Sequence, residues 1–254
     1  MLTIRNEQIQ ALDQAVVRIL EKDILQYLKL TFPADCELLG EDGARAMIRD
    51  GALRARGYGL KTAPGVCVFI DLMFLLGSGF DSDPQLPRAR GVLAASEGDE
   101  DSRVEDLSRL AKDYRERVEG PGCKHLLAAI ERFKAQHITA APYSGQSMQT
   151  PLAINLKLLY PEKCEYLGSE GLSGLVRGGI EAAQAHGMTQ LGALQVFTRA
   201  TLLLGNQFHH DLRYASTAEI LGEKTHQLLK AESLYDAVAE YLERWLGCRG
   251  GRVT

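Results

Sequence analysis

What this sequence withholds narrows it first. Positive charge is in short supply: 29 Lys and Arg stand against 33 Asp and Glu, a formal net charge of −4. A nucleic-acid footprint needs a basic excess gathered on one face, so no nucleic-acid partner is expected. Long apolar runs are missing too. The longest, VCVFIDLMFLL, is broken by Asp71 and stops at Gly77, well short of the roughly 18–20 residues that span a bilayer. No membrane span is expected. The opening MLTIRNEQIQAL is polar and helical in pattern rather than a secretory apolar segment, which points to a cytoplasmic protein. The five cysteines are scattered, none in CxxC or zinc-ligand spacing. That favours reduced thiols over a disulfide framework or a structural zinc.

The motifs that anchor common chemistries are absent as well. There is no GxxxxGK[ST], no strand-bound GxGxxG, no GxSxG and no HExxH. Phosphate-cradling loops, nucleophile elbows and zinc helices therefore have no anchor. No seam of Glu with ExxH supports a di-iron bundle. His125, His137, His186 and His226 have no nucleophile at readable spacing and read as structural. A non-enzymatic chain without a cofactor is expected.

What is present is a repeat. Residues 28–83 and 156–211 align without a gap and agree at about 20 of 56 positions. Matches fall on punctuating residues: Pro33 and Pro161, Cys36 and Cys164, Gly40 and Gly168, Gly77 and Gly205. The cysteine pair reads as a shared packing position.

The periodicity is helical throughout. Residues 5–31 place Ile9, Leu12, Val16, Ile19, Leu20, Ile24 and Leu28 at three- and four-residue steps, with Thr3 or Asn6 as N-cap. Pro33 ends or bends that helix, because proline disfavours helical geometry in the residue before it. A helical turn PADCELL stops at Gly40, and a helix over 41–57 buries Ala44, Met47, Ile48, Ala52 and Ala55. Gly51 and Gly179 lie on the buried stripe of this helix and its copy. Such glycines cost about 1 kcal/mol relative to Ala, so their presence in both copies predicts a close crossing by another element. Thr62 and Thr189 are expected to cap VCVFIDLMFLL and LQVFTRATLLL, which are apolar nearly all round and so buried on most sides. Beyond Asp83 the copies are expected to diverge. There IERF (130–133) and LERW (242–245) would mark a shared closing helix, with an insertion of about 16 residues in the first copy. The tail CRGGRVT is expected to fray.

The expected fold class is therefore all-α, an internally duplicated helical bundle. Its two repeats, residues 1–138 and 151–254, would be related by a pseudo-twofold axis, joined by a linker at 139–150 and packed as one unit.

Function is sought where the copies disagree. Asp71 and Arg199 hold equivalent places in the most apolar helix with opposite charge. A lone carboxylate beside Cys67, Val68, Phe74 and Leu75 must be paired. The two could meet across the axis, or each could find a local partner. His209, His210 and Asp211 stand where the first copy has Asp81, Ser82 and Asp83. Imidazole and carboxylate suit a divalent metal, and DSDP opens like a calcium loop but lacks its later glycine and glutamate. The preferred reading has Asp83 and Asp211 capping the next helix, with no metal site. Arg49 and Arg177 are shared but lie off the apolar stripe, where they are solvated, brace a neighbour or meet a partner.

MLTIRNEQIQAL, FPADCELLG and FIDLMFLLGSGFDSDPQLP together resemble a bacterial protein family encoded beside type VI secretion spike and effector genes, best over residues 1–90. The family's motifs carry no catalytic residue to transfer. The resemblance implies a cytoplasmic bacterial protein that assists loading or folding of secreted effectors, or neutralises one. The leading expectation is an interaction adaptor whose partner is a secreted effector or spike component. The alternatives are a cytoplasmic immunity protein for a neighbouring toxin, and a metal- or small-ligand-binding enzyme using the His209–Asp211 corner.

Overall fold

Proline and glycine cut the chain into helices. The computed structural model describes residues 20–83, 85–95, 99–136 and 147–250, and among them there are helices and no strand. Helix α1 (20–31) gives way at Phe32, held at φ −126° by the proline that follows. Helix α2 (Pro33–Gly57) opens with Pro33, whose missing N–H is no loss in a first turn, and bends at Gly40 (φ 67°, ψ 172°). The second half runs likewise. Helix α7 (Gln149–Leu159) ends before Tyr160 (φ −141°), and α8 (Pro161–Ala185) bends at Gly168 (φ 67°, ψ −177°).

Helices α3 (Ala63–Leu76) and α9 (Leu191–Leu204) follow, each 14 residues long. Ten residues of α3 and eleven of α9 are buried, so neither has a solvent face and both form the centre of the molecule. Phe69, Ile70, Leu72 and Phe197 are 0–1% exposed, and each such side chain contributes about 1.5–3 kcal/mol of transfer free energy. Helix α2 packs on α3 and α8 on α9. The glycines permit it: a Cβ on Gly51 would lie 2.7 Å from Ile70 Cγ1 and Met73 Sδ, and one on Gly179 2.8 Å from Thr198 Cγ2.

After α3 come α4 (Pro87–Ala94) and α5 (Glu100–Tyr114), which runs on through a π-helical turn, Arg115–Glu119. A 3-10 turn (Pro121–Cys123) leads to α6 (Lys124–Ala135). After α9 come 3-10 turns at Phe208–His210 and Leu212–Tyr214, then α10 (Ala215–Gly222) and α11 (Gln227–Gly250).

Beyond Asp83, α4 and α10 have 8 residues each and begin 128 positions apart. The starts of α5 and α11 make similar contacts. Glu100 accepts from Thr62 N at 2.7 Å and Arg103 donates to the Tyr58 and Gly59 carbonyls. At the other corner Gln227 accepts from Thr189 N at 2.6 Å and Lys230 donates to the His186 carbonyl. Thr62 caps α3 by accepting from Gly65 N, but α9 has Gln190 at its N-cap position, and Gln227 receives the N–H groups of Thr189 and Gln190 instead. Residues Cys248–Gly250 of the expected frayed tail are helical, and Gln149 of the expected linker already opens α7. The helix read over residues 5–19 with its cap, residues 139–146 of the linker, His137 and residues 251–254 lie outside the described residues.

Candidate functional site

The ends of α3 and α9 meet backbone to backbone. Gly77 (φ 108°) and Gly205 (φ 98°) are the residues in contact, and a Cβ on Gly205 would overlap the Leu76 carbonyl oxygen, as one on Gly77 would crowd the Leu204 carbonyl. Only glycine combines that left-handed φ with so close an approach. The segments leaving this crossing exchange bonds. Ser78 N donates to Asp211 Oδ2 at 3.1 Å, and Asn206 N donates to Asp83. Each aspartate also accepts from the backbone two residues on, Gln85 N at 2.8 Å and Arg213 N at 2.9 Å. Each aspartate thus holds the turn just after it, but neither caps the helix that follows as expected: α4 and α10 begin after Leu86 and Tyr214, with no side-chain cap.

Around this crossing lies buried charge that the sequence reading missed. Arg213, 3% exposed in its side chain, donates to Asp211 at 2.7 Å, Asp35 at 3.3 Å, the Phe74 carbonyl at 2.8 Å and the Met73 carbonyl at 3.1 Å. Asp35 accepts further from Trp245 Nε1 at 3.0 Å and the Tyr241 hydroxyl at 3.3 Å. Burial works against the Arg213 charge, but the adjoining Asp211 carboxylate overcomes it and holds its pKa well above the usual range. Burial likewise raises the Asp211 carboxyl until the Arg213 charge outweighs it, leaving its pKa below the ordinary value.

On the other side of the crossing the positions 128 residues away differ in charge: Lys163 matches Asp35 and the neutral Gln85 matches Arg213, while Asp83 matches Asp211. Lys163 replaces Asp35, is 5% exposed, donates to the Leu202 carbonyl at 2.6 Å and faces the Tyr114 ring at 5.7 Å. Burial pushes Lys163 down to about 8 and Asp83 up to about 6. Every oxygen of the Asp35–Arg213–Asp211 cluster faces a donor, so this region locks elements together. A signal did exist for it: Asp35 and Lys163 differ in charge at aligned positions, as Asp71 and Arg199 do.

Asp71 and Arg199 do not pair with each other. Asp71 accepts from Arg115 Nη2 at 2.9 Å and the Tyr27 hydroxyl at 2.8 Å. Arg199 donates to Asn155 Oδ1 at 2.6 Å and the Gln136 carbonyl at 3.3 Å, and burial lowers it to about 10. Arg49 binds both oxygens of Glu21 on α1 at 3.0 Å, whereas Arg177 is exposed. Cys36 and Cys164 are buried and their thiols pushed up to about 11, as suits a packing position.

The His209–Asp211 corner does not converge. Asp211 is turned inward to Ser78 and Arg213, and among the described residues no group of three His, Cys, Asp or Glu is placed to hold a metal. His209 instead meets His186 edge-on at 5.2 Å and lies 4.2 Å from the His210 ring. Burial, then the charges of His210 and His186, push it down to about 4. His209 and His210 line a cleft of about 310 Å³ with Gly178, Gly179 and Ala182 on its other wall. His210 also borders a cleft of about 500 Å³ where Arg54 is held by Asp50, Asp81 and the Ser78 carbonyl.

The most apolar opening lies elsewhere. Between α1, α3 and α5 runs a groove of about 520 Å³ lined by Ile24, Tyr27, Cys67, Val68, Val104 and Ala111, with the Asp71–Arg115 pair in its wall. Asp23, Ser108 and Lys112 line it as well, so aliphatic and aromatic surface is combined with groups that could orient an occupant. No protein-family model matches the chain, and neither curated proteins nor solved structures yield a match.

Proposed function

We propose that the chain is a non-enzymatic interaction protein, an adaptor associated with loading of type VI secretion effectors. The observation that carries this is the open groove between α1, α3 and α5, an apolar channel of about 520 Å³ with a charged pair in its wall. The secretion context rests on the sequence resemblance alone. We also read the scaffold as a duplication about a pseudo-twofold axis, with units over residues 1–138 and 151–254. Supporting that reading are the equal lengths of α3 and α9 and of α4 and α10. The reciprocal contacts at Gly77 and Gly205 support it too, as do the exchanged bonds of Asp83 and Asp211.

Co-expression with the products of the flanking spike and effector genes tests the adaptor reading. A defined complex by size-exclusion chromatography with light scattering is expected. Failure of every neighbouring product to form one would remove the reading. Neutralisation of a neighbouring toxin in cells without a secretion machine would replace it with immunity.

A further inference from the structure

We propose that the cavity where α2, α3, α6, α9 and α11 meet binds a small organic ammonium ion, its charge against Glu119 and Asp35 and its aliphatic part against Leu126 and Leu203. This goes beyond the interaction reading and stands without it. The cavity measures about 90 Å³, which is room for roughly six water-sized groups. That suits a short alkylamine.

Charge selects a cation. Among the described residues that line the cavity, Asp35 and Glu119 are acids and Arg213 is the one base. Arg213 has no donor left for an anion, because its five N–H groups go to Asp211, Asp35 and the Phe74 and Met73 carbonyls. It already answers two carboxylates, and Glu119 brings a third. Two further cations come with acids of their own: Arg115 pairs with Asp71 at 2.9 Å, and Lys163 lies within reach of the Asp83 charge. A wall with that surplus of carboxylate repels anions and attracts cations. A carboxylate offers about four lone-pair sites, so Glu119 can take an ammonium beside the contacts it already makes.

The rings select an organic cation. Phe32, Phe74, Tyr214, Tyr241 and Trp245 line the cavity, and three of them already face guanidinium groups. Arg115 Cζ lies 5.5 Å from the Phe32 centroid, and Arg213 Cζ lies 5.5 Å from that of Phe74 and 5.2 Å from that of Tyr214. Aromatic walls of this kind favour an ammonium carrying carbon. Tyr241 and Trp245 are fixed beside the acid, since they donate to Asp35 at 3.3 and 3.0 Å. Leu126 of α6 and Leu203 of α9 are half-buried and supply aliphatic surface for the chain of the amine. Glu119 ends the π-helical turn, where Gly120 N donates to the Arg115 carbonyl at 2.9 Å. Such turns are frequent at functional sites.

The chain has one tryptophan, Trp245, and it stands in this wall, so its emission reports occupancy. The full chain is titrated with n-butylammonium chloride near pH 7, where the amine is protonated. Sodium chloride, sodium butyrate and n-butanol are titrated in parallel. A saturable change with butylammonium alone is expected, with calorimetry giving one site per chain. Glu119→Gln should weaken the binding about tenfold, through loss of one charge-assisted contact, with an unchanged circular dichroism spectrum. Leu203→Phe narrows the aliphatic part, leaves every charge in place and should weaken binding too. A response that never saturates, or that sodium chloride, butyrate or butanol matches, would overturn the proposal. So would undiminished binding by either folded variant.

Discussion

At the scale of single residues, the buried ions hold the molecule together more than any motif does. Arg213 satisfies two carboxylates and two carbonyls at once. Replacing it by Met leaves Asp35 and Asp211 buried beside no cation, and removing one partner of a buried pair costs about 3–5 kcal/mol. Urea unfolding should show a loss of that order for Arg213→Met, and a smaller one for Arg213→Lys, which keeps the charge but not the planar fork. A change under about 1 kcal/mol would mean the cluster is not dry.

Two other buried groups oppose each other in mild acid. His209 is lowered from 6.5 to about 4, so its contribution is present above pH 6.5 and lost as pH falls toward 4. Asp83 is raised from 3.8 to about 6, so the folded protein binds its proton first and gains stability as pH falls from 6 toward 3.8. Between pH 6.5 and 4.5 the two slopes largely offset. Asp83→Asn should expose the His209 slope, losing about 1–2 kcal/mol over that range, and His209→Leu should show the opposite trend. Thermal melts at pH 6.5 and 4.5 read both. Parallel behaviour of the two variants would rule the assignment out.

At the scale of elements, adjacent glycines of α8 separate helix propensity from packing. A Cβ on Gly178 would meet nothing within 4 Å, whereas one on Gly179 would lie 2.8 Å from Thr198 Cγ2. Thr198 cannot swing aside freely, because its hydroxyl donates to the Leu194 carbonyl at 2.8 Å. Gly178→Ala should stabilise by about 0.5–1 kcal/mol through propensity alone. In Gly179→Ala the same gain is outweighed by overpacking of about 1–3 kcal/mol, for a net loss. Denaturant midpoints of the two variants should move in opposite directions, and a shared upward shift would show that α9 yields. The crossing was legible because a glycine on an apolar stripe has few other reasons to be there. The like anchoring of α5 and α11 was not, since side chains of unlike type do it: Glu100 and Arg103 at one, Gln227 and Lys230 at the other.

At the scale of the whole molecule, the two halves of the chain complete each other. Asp35 depends on Arg213, Tyr241 and Trp245, and Asp211 on the backbone of Ser78. A fragment of residues 1–138 would keep α3 but lose these partners. It is expected to retain helical circular dichroism, bind a hydrophobic dye and unfold without a cooperative transition. A cooperatively folded monomeric fragment would refute the interdependence.

By itself the sequence determined the helices, their prolines and glycines, and which of them are buried. Those properties follow from local backbone preference and from a periodicity that repeats every few residues. It also marked Asp71 and Arg199 as buried ions in need of partners. Tertiary structure alone decided who the partners are. Arg115 and Tyr27 reach Asp71 from 44 positions away on either side, and Arg213 reaches Asp35 across 178. Such choices depend on how helices cross, and crossing is set by the packing of whole faces rather than by any spacing along the chain. The open groove belongs to the same class of fact. Its walls are ordinary helix faces in the sequence, and only their assembly brings them together around a channel.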